Sequence, residues 1–225
     1  MSTLYTINVI NEMASAQDFF FFQAPAVYSG GATVYSNSIY SNSLAPSTQG
    51  AQLTFEFNQQ YFAGIQTANA NSTPAIGQAS GSTIAVQAID LAPAAGGTAT
   101  SNATIANVSP LGLMPPTSNA GVVAGNYMIT TPTFNSTAAQ YNAGLAVQSG
   151  GGYVLSNYIN ALPNQDIQCQ PVVNFYVTTG SYTAGTVIDF TTASTNSALC
   201  DASTGYLTFD VVYTANGTWT VTPSA

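Results

Sequence analysis

Four consecutive phenylalanines, Phe19, Phe20, Phe21 and Phe22, restrict the fold more than any other stretch of this chain. On an extended strand successive side chains leave opposite faces, so Phe19 and Phe21 point one way and Phe20 and Phe22 the other. An exposed pair would forfeit several kcal/mol at roughly 25 cal/mol per Å² of apolar area, so both faces require a covering layer. The expected arrangement has a sandwich core on one face and the long segment 92–125 on the other. The alternative is that one pair meets a neighbouring subunit, which makes Phe19, Phe20, Phe21 and Phe22 the interface candidates.

The rest of the chain supports an extended reading. Long helical periodicity is absent, whereas short alternating runs rich in Val, Ile, Thr and aromatics recur between Gly, Pro and Asn clusters. Strands are predicted over 3–10, 18–28, 52–66, 83–91, 126–134, 152–159, 171–179, 185–192, 205–214 and 218–223. The fold class expected is all-β, an antiparallel β-sandwich of jelly-roll type, built as a single domain over 1–225. The segment at about 92–125 is too rich in Ala, Gly, Pro, Ser and Thr for a continuous ladder and reads as a long irregular excursion. The tandem YSNSIYSNSL repeats Tyr-Ser-Asn-Ser with a spacing of five, which suits neither strand nor helix, and reads as a turn-rich edge.

The C-terminal hairpin has a register that can be argued. A two-residue Asn216-Gly217 turn would set Tyr213 opposite Thr220 and mix the two faces. A three-residue loop, Ala215-Asn216-Gly217, with a left-handed Gly217, pairs Tyr213 with Trp219, Val212 with Thr220, Val211 with Val221 and Asp210 with Thr222. That register leaves one face apolar, places Trp219 on the core side and makes Thr218, Thr220 and Thr222 a hydroxyl row.

The residues that are missing limit the chemistry. The 225-residue chain has no Lys, Arg or His and eight carboxylates, a formal charge of −8 at pH 7. Only 4% of residues are charged, against roughly 25% for an ordinary domain. Without His there is no Ser-His-Asp or Cys-His catalysis and no ordinary zinc site. Without Lys there is no P-loop or Schiff base. With no cationic side chain, nucleic acid and anionic lipid are poor partners. Protonating the carboxylates brings the molecule toward neutrality, so it is expected to tolerate acid and to associate there.

Glu12, Asp18, Glu56, Asp90, Asp166, Asp189, Asp201 and Asp210 remain as chemical groups. Glu56, Asp189 and Asp210 alternate onto the polar sides of predicted strands and read as solvated face residues; no catalytic motif is found. Asp166 in 164–168 and Asp201 in 194–205 are weak calcium candidates, because each stretch could supply a carboxylate with Asn and carbonyl oxygens. No other cofactor is implied. Cys169 and Cys200 could form one disulfide or stay as two buried thiols.

MSTLYTINVINEM has neither a basic region nor a long apolar run and reads as a first strand rather than a secretory signal. A cytoplasmic protein, or one carried outside or to the surface by a leaderless route, is expected, with no transmembrane segment. The leading functional expectation is a non-enzymatic, structural or self-associating protein. It offers trypsin no site, and low charge and edge strands without Lys favour homo-oligomers. The second is a carbohydrate-binding, lectin-like module, since sugars are recognised by amides, hydroxyls and aromatic platforms without any cation. The third is a hydrolase acting in acid through a carboxylate pair.

Overall fold

The structure is a computed structural model and describes residues 4–58, 60–69 and 73–225. Residue 3 of the predicted strand 3–10 and residue 59 of the predicted strand 52–66 lie outside the described residues. In chain order the first strands are β1 (Leu4–Asn11), β2 (Gln17–Gln23), β3 (Val27–Tyr28), β4 (Tyr35–Leu44), β5 (Leu53–Asn58) and β6 (Tyr61–Ala68). Next come β7 (Gly81–Ile89), β8 (Ala103–Val108), β9 (Leu111–Leu113), β10 (Tyr127–Thr130), β11 (Tyr141–Ser149) and β12 (Gly152–Ala161). The chain closes with β13 (Asp166–Gln170), β14 (Asn174–Thr179), β15 (Val187–Ile188), helix α1 (Phe190–Thr195), β16 (Ala198–Asp201), β17 (Thr208–Tyr213) and β18 (Trp219–Ser224).

The protein is all-β, a set of largely antiparallel sheets packed face to face. A four-stranded sheet runs β18-β17-β1-β5 and a five-stranded sheet β3-β13-β10-β8-β9. A nine-stranded sheet runs β16-β14-β2-β4-β12-β11-β6-β7, with β15 attached to β4. Two pairs, β1 with β17 and β8 with β10, are parallel, so pairing is not purely antiparallel as expected. Two separate cores result. The first lies between the four-stranded sheet and the β16-β14-β2-β4 strands and is dominated by Phe19, Phe21, Phe55, Phe57, Phe175 and Phe209. The second lies between the five-stranded sheet and β12-β11-β6, and it is built from Ile65, Ile129, Leu145, Ile159 and a series of alanines.

β4 joins the two halves: its end at Tyr35 and Ser36 pairs with β12, while Ser38 to Leu44 pair with β2. This strand is the YSNSIYSNSL tandem, so the turn-rich edge expected there is corrected to a strand with partners on both sides. The odd spacing is absorbed by a bulge: Phe21 faces Tyr40 and Phe22 faces Ser38, leaving Ile39 without an opposite residue. The extra residue restores phase, and Ile39 and Leu44, five apart, both enter the first core. Ser36, Asn37 and Ser38 are buried. Asn37 Nδ2 donates to the Leu155 carbonyl at 2.8 Å, and Ser38 Oγ to the Tyr182 carbonyl at 2.8 Å.

The phenylalanine strand has a covering layer on both faces. Phe19 and Phe21 belong to the first core, where Phe21 lies 4.8 Å from the Phe55 ring. Phe20 and Phe22 are covered by Tyr176, Tyr182, Ile188 and Phe190, not by 92–125. The excursion instead contributes β8 and β9 to the five-stranded sheet, and a small cluster of Ala92, Ala103, Val122 and Met128 holds its turns down. All four phenylalanines are at most 2% exposed within one chain, so none is available to a neighbouring subunit as an interface residue.

The C-terminal hairpin has the register argued from its faces. Tyr213 pairs with Trp219, Val212 with Thr220, Val211 with Val221 and Asp210 with Thr222, and Gly217 is left-handed at φ 74°. Sequence reasoning also placed a strand over 185–192, where only β15 is extended. Asp189 then turns the chain: its carboxylate accepts from the amides of Thr191 and Thr192 and caps α1. The cap outweighs the β-branched Thr residues that suggested a strand, and α1 becomes part of the layer over Phe22. Asp189 is thus a helix cap and not a residue alternating along a strand.

Candidate functional site

α1 and the C-terminal hairpin stand on either side of a groove of about 670 Å³. Buried Phe20 and Ile188 lie along it, joined by Thr178 and Thr179 at the end of β14. Tyr182, Asp189, Thr192, Thr195, Asn196 and Ser197 come from the segment around α1; Tyr213, Gly217, Thr218 and Trp219 come from the hairpin. The sides are tied at one point. The Asn196 carbonyl accepts from Trp219 Nε1 at 3.1 Å and from Thr178 Oγ1 at 2.8 Å. Tyr213 and Trp219 pack with ring centroids 4.5 Å apart and both meet Phe19 edge-on at 5.9 Å, which fixes the hairpin side on the first core.

Trp219 therefore has two positions at once: it packs on the core, as the register predicts, and it also lines the groove. Tyr182 packs at a tilt against Phe20 with ring centroids 4.9 Å apart. Exposed hydroxyls of Thr192, Thr195 and Thr218 and the exposed Asn196 provide polar groups between these rings. Thr220 and Thr222 of the predicted hydroxyl row lie outside the groove.

Among the described residues the only carboxylate in the groove lining is Asp189. Its Oδ1 accepts from Thr191 N at 3.1 Å and Thr192 N at 3.4 Å, and its Oδ2 accepts from Thr192 Oγ1 at 2.7 Å. These hydrogen bonds, led by the Thr192 hydroxyl, hold its pKa below the usual carboxylate range. A hydrolase of the carboxylate-pair type needs a second acid in the same cleft, and the lining supplies none.

The calcium candidates are separated. Asp166 accepts from Thr130 Oγ1 at 2.6 Å on the five-stranded sheet, and Asp201 accepts from Ser203 N and Oγ at the turn after β16. Among the described residues no group of three or more His, Cys, Asp or Glu side chains comes together. Of the two alternatives for the cysteines, the structure has the pair of buried thiols and not the disulfide: Cys169 and Cys200 are free. One is packed in the second core and the other in the first, whereas a bridge needs Cα atoms within about 7 Å. Burial pushes both thiols up to about 12, so neither is a ready nucleophile.

Sequence reasoning missed the groove because its lining comes from β2, the 178–197 stretch and the hairpin, which only the sheet order brings together. One local signal was present, the Asp-Phe-Thr-Thr run at 189–192, whose spacing suits a capped helix. Comparison with protein-family models, with curated proteins and with solved structures gives no match, so no relative lends its activity to this site. The class that fold and site define is an all-β protein with a groove lined by aromatic rings, hydroxyls and a single carboxylate. Among the described residues no helix is long and apolar enough to cross a membrane.

Proposed function

We propose that this protein is a carbohydrate-binding module whose site is the groove between α1 and the C-terminal hairpin. One observation carries the reading: three half-buried aromatic residues, Tyr182, Tyr213 and Trp219, share that groove with Thr hydroxyls and an Asn amide, over a floor that includes buried Phe20. Sugars present both an apolar C–H face and a rim of hydroxyls, and rings beside uncharged donors and acceptors match both. No cation is needed. The expected mode is binding without hydrolysis, because Asp189 has no second acid beside it.

Trp219 is the only tryptophan in the chain, so its emission reports the groove directly. Oligosaccharides selected on a glycan array, screened with and without calcium, should shift or quench that emission in a saturable way. An array on which no glycan binds, in either condition, overturns the proposal.

The self-associating reading draws less support. The phenylalanines that were its interface candidates are buried within one chain, and one of the edge strands that motivated it, β18, is blunted. Thr218 and Ser224 hydrogen-bond inward to the β17 side, so Pro223 falls on the outward-facing register and offers no N–H to an incoming strand. What supports it is the low charge and the other sheet-end strands, which carry no Lys, and sedimentation across a wide concentration range tests it.

A further inference from the structure

Asp189 is the only charged side chain lining the groove, and the chain contains no cationic side chain to offset it. A carboxylate oxygen has two acceptor sites. Oδ2 uses one on the Thr192 hydroxyl, and the residue is exposed, so an acceptor remains open toward a ligand. The rings that share the groove attract cations through their faces, Trp most strongly.

We propose that Asp189, with the aromatic rings of Trp219 and Tyr182, makes the groove select saccharides by charge. Sugars bearing a free ammonium group, such as glucosamine oligomers, bind in preference to their N-acetylated counterparts, and uronates are rejected. This rests on the groove being a saccharide site. The physical basis is the charge-assisted hydrogen bond, stronger than a neutral one, made where no competing cation is present. The net charge of −8 adds a long-range attraction of the same sign, which salt screens.

Trp219 emission is titrated with glucosamine and N-acetylglucosamine oligomers of equal length, at a pH where the amine is protonated and at low and high salt. Asp189→Asn removes the charge and retains a good helix cap, since Asn and Asp cap about equally well. Glu56→Gln makes the same charge change on β5, outside the groove. The expected result is roughly fivefold tighter binding of the free-amine oligomer at low salt. That preference should shrink at high salt, persist in Glu56→Gln and fall in Asp189→Asn to the small, salt-screened remainder that the net charge leaves. Equal affinity for the two oligomers overturns this inference alone, as does a preference that survives Asp189→Asn unchanged. Silence toward both oligomers and every array glycan overturns the groove as a saccharide site as well.

Discussion

The two cores are built from different materials. The first stacks large rings: Phe57 lies 3.7 Å from Phe175 between centroids, Tyr5 stacks on Phe57 at 5.0 Å, and Phe55 lies near both Phe21 and Tyr40. The second sets Ala26, Ala63, Ala106, Ala143 and Ala161 beside branched residues and the rings of Tyr28, Tyr127 and Tyr141, and it admits polar groups. Tyr28 Oη donates to the Asn157 carbonyl at 2.9 Å and accepts from Leu145 N at 3.1 Å, while Asn157 Oδ1 accepts from Ala26 N at 3.1 Å. The first core therefore gains from area, and the second from close approach of backbones that small residues permit.

Gly144 illustrates that second route. A Cβ there would collide with the Asn157 carbonyl and with Tyr28 Oη, so the absence of a side chain is what lets the tyrosine hydroxyl reach the centre of β11. Neither contact can retreat easily, because both atoms already belong to the same hydrogen-bonded network.

Three perturbations sharpen the contrast. The largest effect is expected from Phe21→Ala, which removes a fully buried ring from the first core and should cost about 3–5 kcal/mol in denaturant unfolding. A loss under 1 kcal/mol would mean that the ring stack contributes little. Gly144→Ala should cost about 1–3 kcal/mol by overpacking the second core, measured the same way. A neutral or stabilising result would show that β11 has room to shift.

The smallest effect concerns acid. None of the eight carboxylates is buried, and none can form a side-chain salt bridge because no cationic side chain exists. For Asp189 the folded pKa is depressed, so its contribution is present above the ordinary carboxylate value near 3.9 and lost as pH falls through the lower folded value. The residue is exposed, and that loss is small. Circular dichroism should therefore hold between pH 5 and about pH 3, while light scattering rises as the net charge disappears. Unfolding in that window would contradict this account of both cores.

The aromatic half was the more legible, although β4 and β16 in it were not read as strands. The alternation of Phe55 and Phe57 around Glu56, the two-sided phenylalanine strand and the hairpin from Tyr213 to Trp219 carry strong amphipathic signals, and the structure follows them. The alanine-rich half was less legible: β7, β10 and β12 fall on predicted strands, but β11, the strand YNAGLAVQS between β12 and β6, was not predicted. Small residues contribute little contrast between faces, so a strand made of them resembles a loop until its neighbours are known. The single strand predicted over 52–66 is in fact β5 and β6, which belong to different sheets. The break falls at the polar run Asn58-Gln59-Gln60, a local interruption that the single-strand reading passed over.

The sequence alone determined the chemical alphabet and the need for layers. A chain without basic side chains and with four adjacent phenylalanines must pair strands, cover both faces of one of them, and recognise any ligand through rings, hydroxyls, amides and carboxylates. Tertiary structure decided which segment does the covering, which cysteines stay apart, and which residues meet. Asp189, Asn196 and Trp219 share a groove because β14, β2 and β4 are neighbours in one sheet and β18 closes over their end. Such proximity is set by long-range pairing and competing burial, which local spacing does not encode.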